Sequence, residues 1–463
     1  MGFQSLTFLV FLPAAVLICR MAGRRDAVAG RRCLLIFSLI FYMAQGKGLT
    51  ELLIGLLVTA LAVGYFSVSG HSETARKRIL LLSCGYHIAV LAAFKYVAGW
   101  MPVGLSFFTF QQLWLLKEGY EGSFLPRREE LLIHALFFPT VTSGPILRPG
   151  AFFPQLEGEV FLHPGERDIA AGLYAICMGT AKKVLLADQL GMVVSNGWAA
   201  AGDLSVPAAW ITMVAYTLQL YLDFSGYCDI ATGCARLLGL RLPVNFNSPY
   251  RSLSVGEFWK RWHITLTTFL RECLYIPLGG SRKGTARTCL HIMVVFLVSG
   301  LWHGNGWTFV VWGLLHGLAQ VDERLCGARL DRLPKLFRWA LTMFFVNFAW
   351  VFFRAPDMTS ALTMLTSAVS GGGVGIAALS AGVFESEMNA VTTLLPAAGT
   401  VAELLLPVSL LAVGTVVCLW PRTVLQKMED FRPTLLSAAV LAVLMLWAVL
   451  SFSGVTTFIY SNF

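Results

Sequence analysis

Two histidines, His303 and His316, sit inside one strongly apolar run, SGLWHGNGWTFVVWGLLHG (299–317), and a third, His263, lies upstream in FWKRWHITLTTFLRECLYIPLGGSRKG (258–284). Ionisable groups inside apolar membrane segments are costly to bury, and they mark functional sites by default. A neutral imidazole, titrating near pH 6.5, is suited to taking up a proton. Beside His303, Gly304 and Gly306 flank Asn305. Such a break lets the chain bend and frees backbone N–H groups to meet a developing oxyanion. There is no GxSxG elbow, no HExxH zinc pair and no Walker loop. The chemistry best served is acyl transfer from a thioester. That donor is already activated and needs only a base for the acceptor hydroxyl and stabilisation of the oxyanion. A metal held by His263, His303 and an aspartate is compatible with the spacing, but no ligand motif points to one and none is expected.

Around these histidines, Trp259, Trp262 and His263 stand at i, i+3 and i+4, which predicts one helical face. Lys260 and Arg261 project elsewhere, and Pro277, Gly279 and Gly280 end any helix after Arg271 and Glu272. An interfacial amphipathic helix accounts for the tryptophans and cations but not for a histidine on the aromatic face. His316 follows His303 by thirteen residues, about 220° further round a continuous helix, so it reads as structural or supporting. His71, His87, His134, His163 and His291 have no supporting pattern and read as loop or packing residues. Substrate contacts are expected from Trp302, Asn305, Trp259, Arg271 and Lys283. The loop Ser281-Arg282-Lys283-Gly284 suits either the phosphates of coenzyme A or orientation of the chain in the membrane. Asp223 and Asp229 fall in an apolar region and need partners, with Arg236, Arg241 and Lys182 available. Interhelical pairing explains them at least as well as catalysis. Asn245–Tyr250 follows as a polar loop.

The elements that must position these residues are membrane helices. The chain has 463 residues, 56% hydrophobic and only 13% charged, against about 25% charged in soluble proteins. Apolar runs near the ~20 residues that span a bilayer recur throughout. They are continuous rather than alternating, which argues against a β-barrel. The expected fold is all-α and polytopic, with about 11–13 membrane segments, the clearest being 4–20, 49–68, 79–97, 205–224, 288–302, 305–321, 336–353, 400–420 and 434–453. The run 33–44 is short enough to be tilted or interfacial. Stretches 101–115, 131–147 and 168–198 are broken by Pro, Gly or Lys and suggest re-entrant segments. The formal net charge of +9 sits in short loops (Arg20, Arg24, Arg25, Arg31 and Arg32, then Arg76–Arg78, then Arg282, Lys283 and Arg287). That is a positive-inside pattern, not a nucleic-acid footprint, and it puts the first two clusters on the same, cytoplasmic side. The N-terminal apolar run is followed by Arg20-Met21-Ala22-Gly23-Arg24-Arg25 rather than a cleavage site, so it is expected to stay as a helix. Ten scattered cysteines without a CxxC indicate neither a zinc site nor a disulfide framework. Residues 369–398 read as a long Gly/Ser-rich connection. No repeat or soluble domain is evident, and 1–463 is taken as one membrane domain.

The two histidine segments resemble the signature regions of the membrane-bound O-acyltransferases, nearest the bacterial branch that includes the alginate O-acetylation membrane protein. Similar stretches are PVGLSFFTFQQ (102–112), HALFFPTVTSGPILRP (134–149), GTAKKVLLADQLG (179–191), YLDFSGYCDIATGCARLLGLRLPVNFNSPY (221–250), FFVNFAWVFFRAPDM (344–358) and the terminal FIYSNF (458–463). The resemblance implies a multi-helix ring around a central tunnel, with His303 as the catalytic histidine and His263 as the second active-site residue. It implies acetyl-CoA as the acyl donor on the cytoplasmic side, no bound cofactor, and an inner-membrane location. A periplasmic or extracellular acetyltransferase partner would complete transfer to a glycan such as alginate or cellulose. Two departures bear on the acceptor. The usual RDYLYIPLGG reads RECLYIPLGG here, with Glu272 and Cys273, and a VDVYRG-like ending after Gln112 reads LKEGYEG. Peptidoglycan O-acetylation and teichoic-acid D-alanylation are alternatives within the same chemistry. A His/Asp proton-coupled transporter and a purely structural secretion subunit are alternatives outside it.

Overall fold

The computed structural model describes residues 1–122, 126–396 and 399–452. The terminal FIYSNF lies outside them. Among the described residues the chain is helical, with a single β-bridge between Leu204 and Val374. Among the described residues, eight helical spans are long and apolar enough to cross a membrane, with Glu166–Ala199 as one of them.

The first four helices are α1 (Leu6–Arg25), α2 (Ala27–Gln45), α3 (Leu49–Ser67) and α4 (Glu73–Tyr96). One aspartate separates the first two: the Asp26 backbone ends α1, while its side chain accepts from Ala29 N at 3.0 Å and caps α2. The run 33–44 is therefore not a short interfacial piece. Its helix begins six residues earlier and takes Arg31 and Arg32 into its opening turns. Arg31 is buried, donating to the Leu156 carbonyl, and Arg32 pairs with Glu129 at 2.9 Å.

Next come α5 (Leu105–Tyr120), α6 (Arg128–Leu136), α7 (Pro149–Leu156), α8 (Glu166–Ala181), α9 (Asp188–Ala199) and α10 (Val206–Leu237). The Pro/Gly-broken stretches have separate fates. Residues 105–120 form an unbroken, almost wholly buried helix, while 137–148 leave α6 as irregular buried chain. Residues 166–199 run through a π-helical turn, Lys182–Ala187, between α8 and α9. Arg76 donates to the Tyr120 carbonyl at 2.7 Å, at the end of α5, close in sequence to where α6 begins beside Arg32. Both N-terminal basic clusters thus lie at one end of the bundle, called here the basic end.

Glycines set how closely α8 and α10 approach. A Cβ added to Gly179 would stand 2.7 Å from the Gly226 carbonyl oxygen, and one on Gly172 would stand 2.9 Å from that of Gly233. Small residues at such crossings let backbones touch where no hydrophobic force drives membrane helices together. The close approach brings Lys182 and Lys183 onto α10, where Lys182 meets Asp229 at 2.5 Å and Lys183 meets Asp223 at 2.7 Å and Asp188 at 2.6 Å.

Between α10 and the next long helix the chain is short-ranged: a 3₁₀ turn (Pro249–Arg251), α11 (Val255–Arg261), α12 (Ile264–Leu270) and a π turn (Arg271–Tyr275). Then follow α13 (Thr285–His303), α14 (Trp307–Leu330), α15 (Lys335–Arg354) and α16 (Met358–Ser370). The segment 369–398 is only partly a connection. It holds a 3₁₀ turn (Ile376–Ser380) and α17 (Glu385–Leu394), and Val374 O accepts from Ser205 N at 2.8 Å. The C-terminal helices are α18 (Gly399–Leu419), α19 (Val424–Glu429) and α20 (Leu435–Leu450).

Candidate active site

His303 is the last residue of α13. Gly304 leaves the helix in an extended conformation and α14 restarts at Trp307, so the Gly-Asn-Gly break ends one helix and starts another. The two pack as an antiparallel pair, and a Cβ on Gly313 would stand 2.5 Å from the Phe296 carbonyl oxygen. Because α13 does not continue into α14, the angular separation of His303 and His316 on a single helix does not apply.

His263 is placed by a different device. The helix carrying Trp259 stops at Arg261, Trp262 is extended, and His263 takes φ 44°, ψ 54° as the residue preceding α12. The expected shared helical face of Trp259, Trp262 and His263 therefore does not form. A non-glycine residue in the left-handed region costs on the order of 1–3 kcal/mol and persists only where its surroundings over-determine it. Here they do. Asn245 Oδ1 lies 3.1 Å from His263 Nδ1 and also accepts from Thr265 N and Thr265 Oγ1, while Asn245 O accepts from Ile264 N. With Oδ1 as acceptor, Nδ1 carries the proton and Nε2 is the basic nitrogen of the ring.

Both histidines are buried, His263 to 1% exposure and His303 to 3%. Aromatic rings join them along two routes. Phe107 contacts His263 at 6.2 Å and Trp302 at 6.1 Å, and the Trp302 ring lies 4.4 Å from His303. On the other side Trp262, Trp350 and Phe353 follow one another at 5.2 Å each, and Phe353 meets His303 at 4.9 Å.

The remaining expected residues divide. Trp302 and Trp259 belong to this cluster. Trp259 Nε1 donates to His316 Nδ1 at 3.1 Å, and its ring packs on Trp312 at 5.7 Å. His316 therefore accepts at Nδ1 and carries its proton on Nε2. Asn305 is exposed in the break. Arg271 and Lys283 are exposed, and the 19 residues of α13 put Lys283 about 28 Å from His303. His87, His134 and His291 are packing residues, bonded to Thr59, the Leu147 carbonyl and the Gly280 carbonyl.

Two participants escaped sequence reasoning. Asn245 looked like a turn residue. Lys95, near the end of α4, donates to the Trp302 carbonyl and lies 5.6 Å from its ring, while Tyr96 donates to the Leu301 carbonyl at 2.5 Å. The pair grips the open C-terminal carbonyls of α13. A lone lysine in the apolar stretch AAFKYVAGW was the available signal.

The site also holds polar groups in reserve. Among the described residues, Nε1 of Trp302, Nε1 of Trp312 and Nε2 of His316 are buried N–H donors without a hydrogen-bond partner. Trp302 and Trp312 both touch the His303 ring, and Trp312 lies 5.0 Å from His316. Buried unpartnered donors beside a base suit a ligand oxygen that gains negative charge. Among the described residues, no three His, Cys, Asp or Glu side chains converge as metal ligands.

Comparison with known proteins agrees with this chemistry. The family pattern of MBOAT, the membrane-bound O-acyltransferase family, matches residues 129–365. The peptidoglycan O-acetyltransferase of Helicobacter pylori is 35% identical over 80% of this chain and 80% of its own length. The probable alginate O-acetylase AlgI of Pseudomonas putida is 34% identical over 79% of each. The teichoic acid D-alanyltransferase of Bacillus subtilis is more distant, 25% identical over 51% of this chain. From the paired histidine segments and these matches, the chain belongs to the membrane-bound O-acyltransferase family and is a polytopic membrane O-acyltransferase.

Proposed function

We propose that this protein takes acetyl groups from cytoplasmic acetyl-CoA and passes them across the inner membrane for O-acetylation of a cell-surface polysaccharide, with an extracytoplasmic partner completing delivery. The observation that carries the reading is the convergence of His263 and His303, from segments forty residues apart, on one aromatic-walled interior. His303 takes the proton of the acceptor hydroxyl as its oxygen attacks the thioester carbonyl. The carbonyl electron pair moves onto oxygen, where the N–H groups of Trp302, Trp312 and His316 meet it. Collapse of that intermediate breaks the carbon–sulfur bond, and the proton passes from His303 to the coenzyme A thiolate. His263, oriented through Nδ1, supplies a second proton acceptor.

Cationic loops support a cytoplasmic donor. Arg282, Lys283 and Arg287 surround the start of α13 and His303 ends it, so phosphates at the loop and an acyl group at the histidine lie at opposite ends of one helix. An exopolysaccharide of alginate or cellulose type is the first acceptor. Peptidoglycan is the second reading, favoured by the 35% identity to a peptidoglycan O-acetyltransferase. The test is label transfer from acetyl-CoA in membranes carrying wild type or His303→Ala at matched expression. Loss of about 10²–10⁴-fold is expected for removal of a general base. Equal transfer in both would remove His303 from the mechanism.

A further inference from the structure

A cavity separate from the histidines lies among α8, α10, α18, α19 and α20. We propose that it binds one anionic phospholipid from the surrounding bilayer, with the head group at Arg422 and Lys427 and an acyl chain along α18. The cavity volume is ≈ 610 Å³, within the range of about 300–1,000 Å³ that holds small ligands. Its walls are apolar, with Met178, Leu410, Val413 and Leu444 among them. The fifteen-residue run from Leu406 to Trp420 follows its length, about 21 Å along the axis. That shape suits an alkyl chain and not a free anion.

Charge gathers at one end. Lys427 Nζ sits 4.9 Å over the Trp420 ring, and Arg422 lies beside it. Trp420 and the two cations make the aromatic and basic rim expected at a head-group boundary. The other charged groups of this region already have partners. Asp430 pairs with Arg422, Glu429 and Asp168 share Arg236 at 2.6 and 3.2 Å, and Lys182, deeper in the wall, pairs with Asp229 at 2.5 Å. Arg422 uses one nitrogen, Nη2, on Asp430 and the Gln426 carbonyl, from a guanidinium with five N–H donors. Lys427 has no carboxylate partner among the described residues, and that cation on the Trp420 ring is what selects an anionic over a zwitterionic head group.

The bound lipid would brace the catalytic scaffold. Ser248 donates to the Trp420 carbonyl at 3.0 Å and Gln426 donates to Asn247 Oδ1 at 3.1 Å. Both tie the rim to the loop whose Asn245 orients His263. The lipid site itself stands on cavity shape and charge, independently of the acyl-transfer reading.

The test is native mass spectrometry of the full chain in mild detergent with added phosphatidylglycerol or phosphatidylethanolamine. Wild type is expected to retain one phosphatidylglycerol in preference to phosphatidylethanolamine. Arg422→Gln with Lys427→Gln should weaken that retention by on the order of tenfold, since each basic residue near a lipid surface contributes several-fold. Leu410→Trp, which fills the cavity and leaves the rim intact, should abolish it, with thermal unfolding reporting that the variant is folded. Equal retention of the two lipids would overturn the proposal. So would unchanged retention in the rim variant, displacement by millimolar inorganic phosphate, or a polyprenyl phosphate outcompeting phosphatidylglycerol.

Discussion

The ion pairs around the π-helical turn that follows α8 and the histidine cluster are both polar systems in an apolar interior, and they are built in opposite ways. In the first, every charge meets its opposite: Lys182 with Asp229, and Lys183 with Asp223 and Asp188. In the second, the rings are packed by aromatic neighbours and three N–H donors have no partner among the described residues. A buried charge must be neutralised where it stands, whereas a neutral imidazole or indole can wait for a ligand to complete its bonds. The first arrangement is complete within the chain and fixes helix positions. The second leaves buried donors open to a ligand. Loss of a partner should therefore cost stability in the first system and activity in the second.

The sharpest way to break that contrast is Asp229→Leu. It leaves Lys182 buried without its carboxylate and should cost about 3–5 kcal/mol, read as a large drop in the thermal unfolding temperature of the detergent-solubilised chain. Adding Lys182→Met should recover most of the loss, because an apolar pair replaces an ionic one. If Asp229→Leu unfolds normally but is inactive, the pair belongs to the reaction and the division between the two systems fails.

Within the histidine cluster, the next effect should come from Asn245→Ala. It removes the acceptor that sets the His263 tautomer and holds a residue in the left-handed region. A fall of about tenfold to a hundredfold in kcat is expected from about 1–3 kcal/mol of lost hydrogen bonding. Asn245→Asp, which keeps the acceptor oxygen, should retain more activity. A smaller loss, about tenfold, is expected for Trp312→Phe, which removes one donor beside His303 while keeping an aromatic ring. A change in KM alone would assign that indole to ground-state binding.

What could be read from the sequence, and what could not, follows the same division. Long apolar runs locate helices because burial in lipid depends on composition alone, so 49–68, 288–302 and 336–353 match α3, α13 and α15 closely. The Gly-Asn-Gly break was legible for a local reason: two glycines and an asparagine disfavour a helix wherever they stand. His263 was misplaced because its conformation is imposed by Asn245, eighteen residues earlier, and no periodicity encodes that bond. Lys95 was missed because it serves α13, more than two hundred residues away. The opening residues of α2 look like loop in the sequence because arginines lower hydropathy, yet Glu129 and the Leu156 carbonyl satisfy them in the folded chain.

The smallest effect concerns Lys283, where position in the sequence suggests two roles and kinetics separates them. Lys283 is exposed at the basic end, and its Nζ lies 3.5 Å from the Leu278 carbonyl, a contact too weak to hold it. If it attracts the donor's phosphates, Lys283→Ala should raise KM for acetyl-CoA several-fold, as expected for about 1 kcal/mol of exposed charge pairing. The maximum rate should be unchanged, because the residue lies a helix length from the reacting atoms. The rise should shrink as salt is added, since exposed charges are screened over about 10 Å at 0.1 M. If the lysine only orients the chain in the membrane, one substitution among several cations leaves the topology intact and KM stays at its wild-type value. Lys283→Arg keeps the charge in both cases, so a KM that rises with Ala and returns with Arg assigns the loop to donor capture.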